Sequence, residues 1–147
     1  MRKSSGWRLL AGLALATASA GLHAAEPAIT VYKSPTCGCC TEWADHLRTN
    51  GFAVETVDSL DLSRIKAMSG VKPELASCHT AFVNGYVIEG HVPADDITRL
   101  LAEKPDARGL TVPGMPAGSP GMESPTPKRY EVLLIDKTGK TTVFATH

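Results

Sequence analysis

Three of the chain's four cysteines stand in a single turn, Cys37-Gly38-Cys39-Cys40, which ends an extended Ile29-Thr30-Val31-Tyr32 run and opens a segment of helical spacing. The alternation continues downstream. Thr41 to Asn50 carries Trp43 and Leu47 four apart and stops at Asn50-Gly51, and Phe52 to Val57 reads as a strand, which completes a β-α-β unit. Leu62, Ile65 and Met68 recur at three-residue spacing on a second predicted helix closed by Gly70 and Pro73, where Met68 reads as core rather than as a ligand. Ala81 to Val83 and Tyr86 to Ile88 flank Asn84-Gly85, a strong hairpin signal. Pro93 opens a third helix, with Asp95 and Asp96 at the positive end of its dipole and a buried stripe of Ile97, Leu100 and Leu101. Tyr130 to Ile135 and Thr141 to Ala145 form a last hairpin around Lys137-Thr138-Gly139, which adds strands to the sheet.

The order β-α-β-α-β-β-α, with cysteines at the start of the first helix, predicts an α/β, thioredoxin-like domain of the glutaredoxin type. To it are added a C-terminal β-hairpin and a Pro/Gly/Met-rich loop. Tyr32 to Cys40 resembles the glutaredoxin active-site turn, with Cys40 in the second place of C-x-x-C, and Phe82-Val83-Asn84-Gly85 with Ile88-Glu89-Gly90 resembles the last glutaredoxin hairpin. A helix N-terminus favours thiolate, which serves redox attack or metal ligation alike. The chain departs from that family at Ser77-Cys78-His79-Thr80, which aligns with the cis-proline loop that faces the active-site cysteines. It has no proline there. Topology is therefore expected to bring Cys78 against the other three sulfurs, with His79 either a ligand or a hydrogen-bonding residue that orients the loop.

Disulfide exchange needs two thiols, and a mononuclear zinc site usually draws its ligands as separated pairs. Three sulfurs in one turn exceed the first need and do not fit the second. Bridging thiolates on a soft metal fit better, and Cu(I) is the first-row ion that most favours sulfur. Structural disulfides fit poorly, because adjacent Cys39 and Cys40 can join only through a strained ring and Cys37 with Cys40 would be a redox pair. No serine-histidine-acid order, phosphate loop or nucleotide fingerprint supports another chemistry.

Residues 1–25 read as a secretory signal: Arg2, Lys3 and Arg8 precede an apolar Leu9 to Ala16 run and then small residues, with cleavage between 20 and 25. The run is too short to span a bilayer, so no membrane span is expected once the signal is removed. No twin arginine appears, which favours the general secretory route, so the metal would be acquired outside the cytoplasm. Removing the signal takes the 15 basic residues to 12 against 15 acidic ones, which argues against nucleic acid as a partner. Residues 26–147 suffice for one domain.

Residues 109–127 form a proline- and glycine-rich stretch without helical or strand period, in which Gly114-Met115-Pro116 is echoed by Pro120-Gly121-Met122-Glu123. Met115 and Met122 either offer thioethers to Cu(I), or close over the cluster, or tack a loose loop to the surface. His91, beside Gly90, lies near the cysteine end of the predicted sheet. His46 is placed on a solvated flank and His23 in the signal, so both are set aside, while a role for terminal His147 stays open. Glu42 and Asp45 read as helix-surface charges.

Cys37-Gly38-Cys39-Cys40, Cys78-His79-Thr80, Gly90-His91-Val92-Pro93 and the loop ending Gly121-Met122-Glu123 together resemble the CopG-like family of periplasmic copper-resistance proteins, long catalogued as a domain of unknown function. The resemblance covers nearly the whole mature chain. It implies a thioredoxin-like fold holding a cysteine-bridged, multinuclear copper cluster, with cycling between Cu(I) and Cu(II) and other periplasmic copper-handling proteins as partners. The expected ligands are Cys37, Cys39, Cys40 and Cys78, with His79, His91, Met115 and Met122 as outer or additional ones. Copper oxidoreductase activity stays open. The competing readings are a thiol-disulfide oxidoreductase using Cys37 and Cys40, and a zinc-binding structural module.

Overall fold

The computed structural model describes residues 27–147; the predicted signal and His23 lie outside that range. Strands β1 (Ile29–Lys33), β2 (Val54–Asp58), β3 (Thr80–Val83), β4 (Tyr86–Glu89), β5 (Ala107–Thr111), β6 (Glu131–Asp136) and β7 (Thr141–Thr146) make one sheet in the order β2-β1-β3-β4-β5-β6-β7. Helices α1 (Gly38–Thr49), α2 (Leu62–Met68) and α3 (Ala94–Glu103) connect them, with a single 3-10 turn at Pro73–Leu75. The predicted β-α-β-α-β-β-α order and C-terminal hairpin are present. β1 and β2 run parallel across α1, while β3 runs antiparallel to both β1 and β4. Asn84 and Gly85 both take positive φ, 46° and 81°, as a two-residue type I′ turn requires.

Period-two alternation splits the sheet between two cores. Ile29, Val31, Ala81 and Ile88 face α1 and α3, where they meet Trp43, Leu47, Ile97 and Leu100 in the main cluster. Val87 points the other way, toward Val71, Leu75 and Ile135. Leu100 is buried as predicted, whereas Leu101 is only partly so.

Two readings need correction. Met68 is 77% exposed, not core. Three-residue steps on a helix drift by about 60° each, so a stripe begun at Leu62 has turned outward by Met68. Helix α2 buries no residue fully and turns Ile65 and Lys66 inward instead. The 109–127 segment is also not irregular from its start, because Ala107–Thr111 pairs parallel with β4 and antiparallel with β6. Gly109 hid this strand. It reads as a loop residue, but here its missing side chain admits close backbone approach, since a Cβ would overlap Val87 O.

Candidate metal centre

Cys37 is the N-cap residue of α1, with extended φ and ψ, and its amide closes the Ser34–Cys37 turn by donating to Ser34 O at 3.1 Å. One helical turn then sets Cys40 on the same side as Cys37, and these two are joined as a disulfide. Cys40 is buried, while Cys37 and Cys39 are half-buried with their sulfurs 3.6 Å apart. Cys39 and Cys78 are free thiols.

The register of the sheet brings in the fourth sulfur. Tyr32 pairs with Thr80, so the residues just before β3 lie at the end of β1 where the cysteine turn begins. Donor atoms of Cys37, Cys39, Cys40 and Cys78 all lie within 4.8 Å of one another. A second group, Cys78, His79 and His91, meets the same limit, so Cys78 belongs to both. Its sulfur lies 3.0 Å from His91 Nε2 and 3.3 Å from His79 Nδ1. Burial, then the neighbouring Cys39, pushes the Cys78 thiol up to about 11.

Both histidines are buried and held neutral. Desolvation lowers the pKa of His91 and takes that of His79 well below the usual value, helped there by His91 and Lys66. His91 Nδ1 lies 2.8 Å from the Pro120 carbonyl, which can only accept; the proton is therefore on Nδ1, and the Nε2 lone pair faces Cys78. His79 packs against Trp43 with ring centroids 4.2 Å apart, and its Nε2 is buried without a partner. With the Cys37–Cys40 pair reduced, four clustered sulfurs and two neutral imidazoles, one with an orphaned nitrogen, form a donor set that fits a soft metal.

The methionine-bearing loop lies on this cluster. Gly114 N donates to Ala76 O at 3.0 Å, and its carbonyl accepts from Ser77 Oγ. Farther on, Gly121 rests against α1 so closely that a Cβ would stand 2.7 Å from Cys39 O and 2.8 Å from Trp43 N. Glu123 accepts from Gly121 N at 2.8 Å, and backbone hydrogen bonds hold its carboxyl below the usual range. Met115 and Met122 follow the two points where the loop is fastened; Met115 is 53% exposed and Met122 half-buried. The loop is thus anchored at both rims of the cysteine site.

The remaining histidines lie elsewhere. His46 is not on a solvated flank, because it is half-buried and its Nε2 accepts from Ala94 N at 3.2 Å, at the first residue of α3. His147 pairs with Asp96 at 2.7 Å and stacks on Tyr130, so the structure docks it at α3. Glu42 and Asp45 are exposed, as expected, and Asp45 pairs with Arg48.

Sequence reasoning missed a buried carboxylate. Glu89, with no exposed surface, accepts from Ser77 N at 2.7 Å, Thr80 Oγ1 at 2.7 Å and Lys66 Nζ at 2.6 Å. The one available signal was its place as the last residue of an apolar strand immediately before Gly90-His91.

A family model described as a protein of unknown function, DUF411, matches residues 75–122. Two solved structures of copper resistance protein CopG resemble the chain over 83% of its length and 98% of theirs. Form 2 is 42% identical with a TM-score of 0.80, and form 1 is 44% identical with a TM-score of 0.79. No curated protein matches.

Proposed function

The chain belongs to the CopG family of copper-resistance proteins, and from that premise we propose that it binds copper at Cys37, Cys39, Cys40, Cys78, His79 and His91 once the Cys37–Cys40 pair is reduced. One observation carries the reading: the Cys78 sulfur stands in both donor groups, the position a bridging thiolate occupies between two metal ions. Thiolates stabilise Cu(I), and imidazole nitrogen brings Cu(II) within reach, so the mixed set suits a protein that holds or interconverts the two ions. Met115 and Met122 would supply thioethers at the rim. Residues 1–25 would direct export to the periplasm, where other copper-handling proteins would supply or take the ion. Among the described residues no helix is long and apolar enough to cross a membrane.

The test is an anaerobic Cu(I) titration of reduced residues 26–147 against a competing chelator. More than one Cu(I) per chain is expected. Saturation at one ion or fewer would remove the multinuclear site, and preference for zinc at equal free metal would favour a structural zinc module. The Cys37–Cys40 disulfide is what a thiol-disulfide oxidoreductase would show, and it keeps that second reading in play. Against it, Ser77-Cys78-His79-Thr80 carries no proline, and Cys39 and Cys78 have no part in dithiol exchange.

A further inference from the structure

Cys78 and His79 sit in a loop that one side chain grips from both ends. Ser77 lies immediately before this dipeptide and Thr80 immediately after it, and both donate to the carboxylate of Glu89, each at 2.7 Å. The two oxygens divide the work: Oε1 takes the Ser77 amide and Oε2 the Thr80 hydroxyl. Lys66 reaches in from α2 to within 2.6 Å of Oε1, and also donates to Thr80 Oγ1 at 3.0 Å. Three donors converge on one fully buried carboxylate, and that convergence fixes the groups that make it. Backbone contacts complete the clamp. Thr80 and Glu89 are register partners, Gly90 N donates to His79 O at 3.1 Å, and a Cβ on Gly90 would stand 2.5 Å from that of Ser77.

Taking the copper reading as given, we infer that Glu89 is a positioning residue for copper binding: with Lys66 as counter-ion, it clamps both sides of Cys78-His79 and holds the Cys78 sulfur where the two donor groups overlap. It touches no metal itself. The clamp does by ionic hydrogen bonding what a rigid cis-proline does for the corresponding loop of a dithiol enzyme, and it leaves the loop free to carry a thiol and an imidazole.

A double-variant cycle tests this on the reduced chain, with Cu(I) affinity read by chelator competition, Co(II)-thiolate absorption as the probe of ligand geometry, and thermal unfolding followed separately. In Glu89→Gln one of the three converging donors must face an amide N–H, so Cu(I) affinity should fall roughly tenfold and the Co(II) charge-transfer bands should shift. In a Cys78→Ser background the same change should cost nothing further, because the residue acts through that sulfur. Thr80→Val removes one donor and keeps the ion pair, so it should give a smaller loss that Cys78→Ser likewise abolishes; it decides the matter if Glu89→Gln does not fold. Unchanged binding in both variants, or losses that add to that of Cys78→Ser, would overturn the inference. If Cys78→Ser alone leaves copper binding intact, the copper reading at this sulfur fails first and the positioning role falls with it.

Discussion

His46, carried by α1 and outside the cysteine cluster, serves a neighbouring helix. Proline at the N-cap of α3 offers no side-chain acceptor, and His46 from α1 supplies one to the Ala94 amide. That bond needs an unprotonated Nε2. Burial lowers the pKa of His46, partly offset by the charges of Glu123 and Asp95. The unfolded chain therefore takes up this proton more readily than the folded one. The stabilisation is complete above the ordinary value of 6.5 and is lost as pH falls below it toward the folded pKa. His46→Ala should cost about 1 kcal/mol at neutral pH, the usual worth of a cap. Between about pH 7.5 and about pH 5.5 the variant should lose less stability than the parent chain. Denaturant unfolding at both values checks this, and parallel losses would refute it. The cap was invisible in the sequence, where His46 beside Leu47 reads as a helix flank; its acceptor role depends on where α3 begins in space.

At the scale of elements, the first turn of α1 has two chemical states. While Cys37 and Cys40 are joined, two of the four clustered sulfurs are withheld from a metal, and a two-electron reduction releases them. Oxidised protein should therefore bind markedly less Cu(I) than protein treated with a thiol reductant and desalted under nitrogen; equal uptake would mean that the turn is not part of the site. Cys39 separates the two functional classes. Cys39→Ser should lower copper stoichiometry, while any disulfide reduction by the apo protein should be slow in parent and variant alike; brisk reduction untouched by Cys39→Ser would promote the oxidoreductase reading. Cys78 was legible in the sequence because Phe82-Val83-Asn84-Gly85 resembles the last glutaredoxin hairpin, which aligns Ser77 to Thr80 with the loop that faces the cysteine turn. Glu89 was not, because its one signal, a place at the end of an apolar strand, does not show the partners that Lys66, Ser77 and Thr80 supply in space. Strand β5 was missed for the opposite reason, since Gly109 signals a turn by type but meets a neighbouring backbone here.

Across the whole molecule, β5 to β7 nearly double a four-stranded sheet, and their far end is fastened back to α3. The Arg99 guanidinium lies 3.5 Å over the Phe144 ring and donates to Phe144 O at 2.6 Å, while Tyr130 and His147 exchange backbone hydrogen bonds at 3.0 Å. Arg99 is exposed, which limits the value of this contact. Arg99→Ala should lower stability by about 1 kcal/mol and leave Cu(I) binding unchanged, since no donor of the cluster touches it. Thermal unfolding and copper titration of the same sample distinguish a docking contact from a ligand-supporting one. A copper defect would show that the hairpin supports the site.

Gly121 sets the clearance between the methionine loop and the helix beneath it. Even a methyl group there would collide with Cys39 O and Trp43 N, lifting the adjacent Pro120 carbonyl away from the His91 ring. Without that acceptor the imidazole would lose its reason to keep its proton on Nδ1, and a share of the rings would turn a filled N–H toward Cys78 in place of a lone pair. A position that carries no donor atom thereby governs, by headroom alone, whether His91 presents a lone pair or an N–H to the Cys78 sulfur.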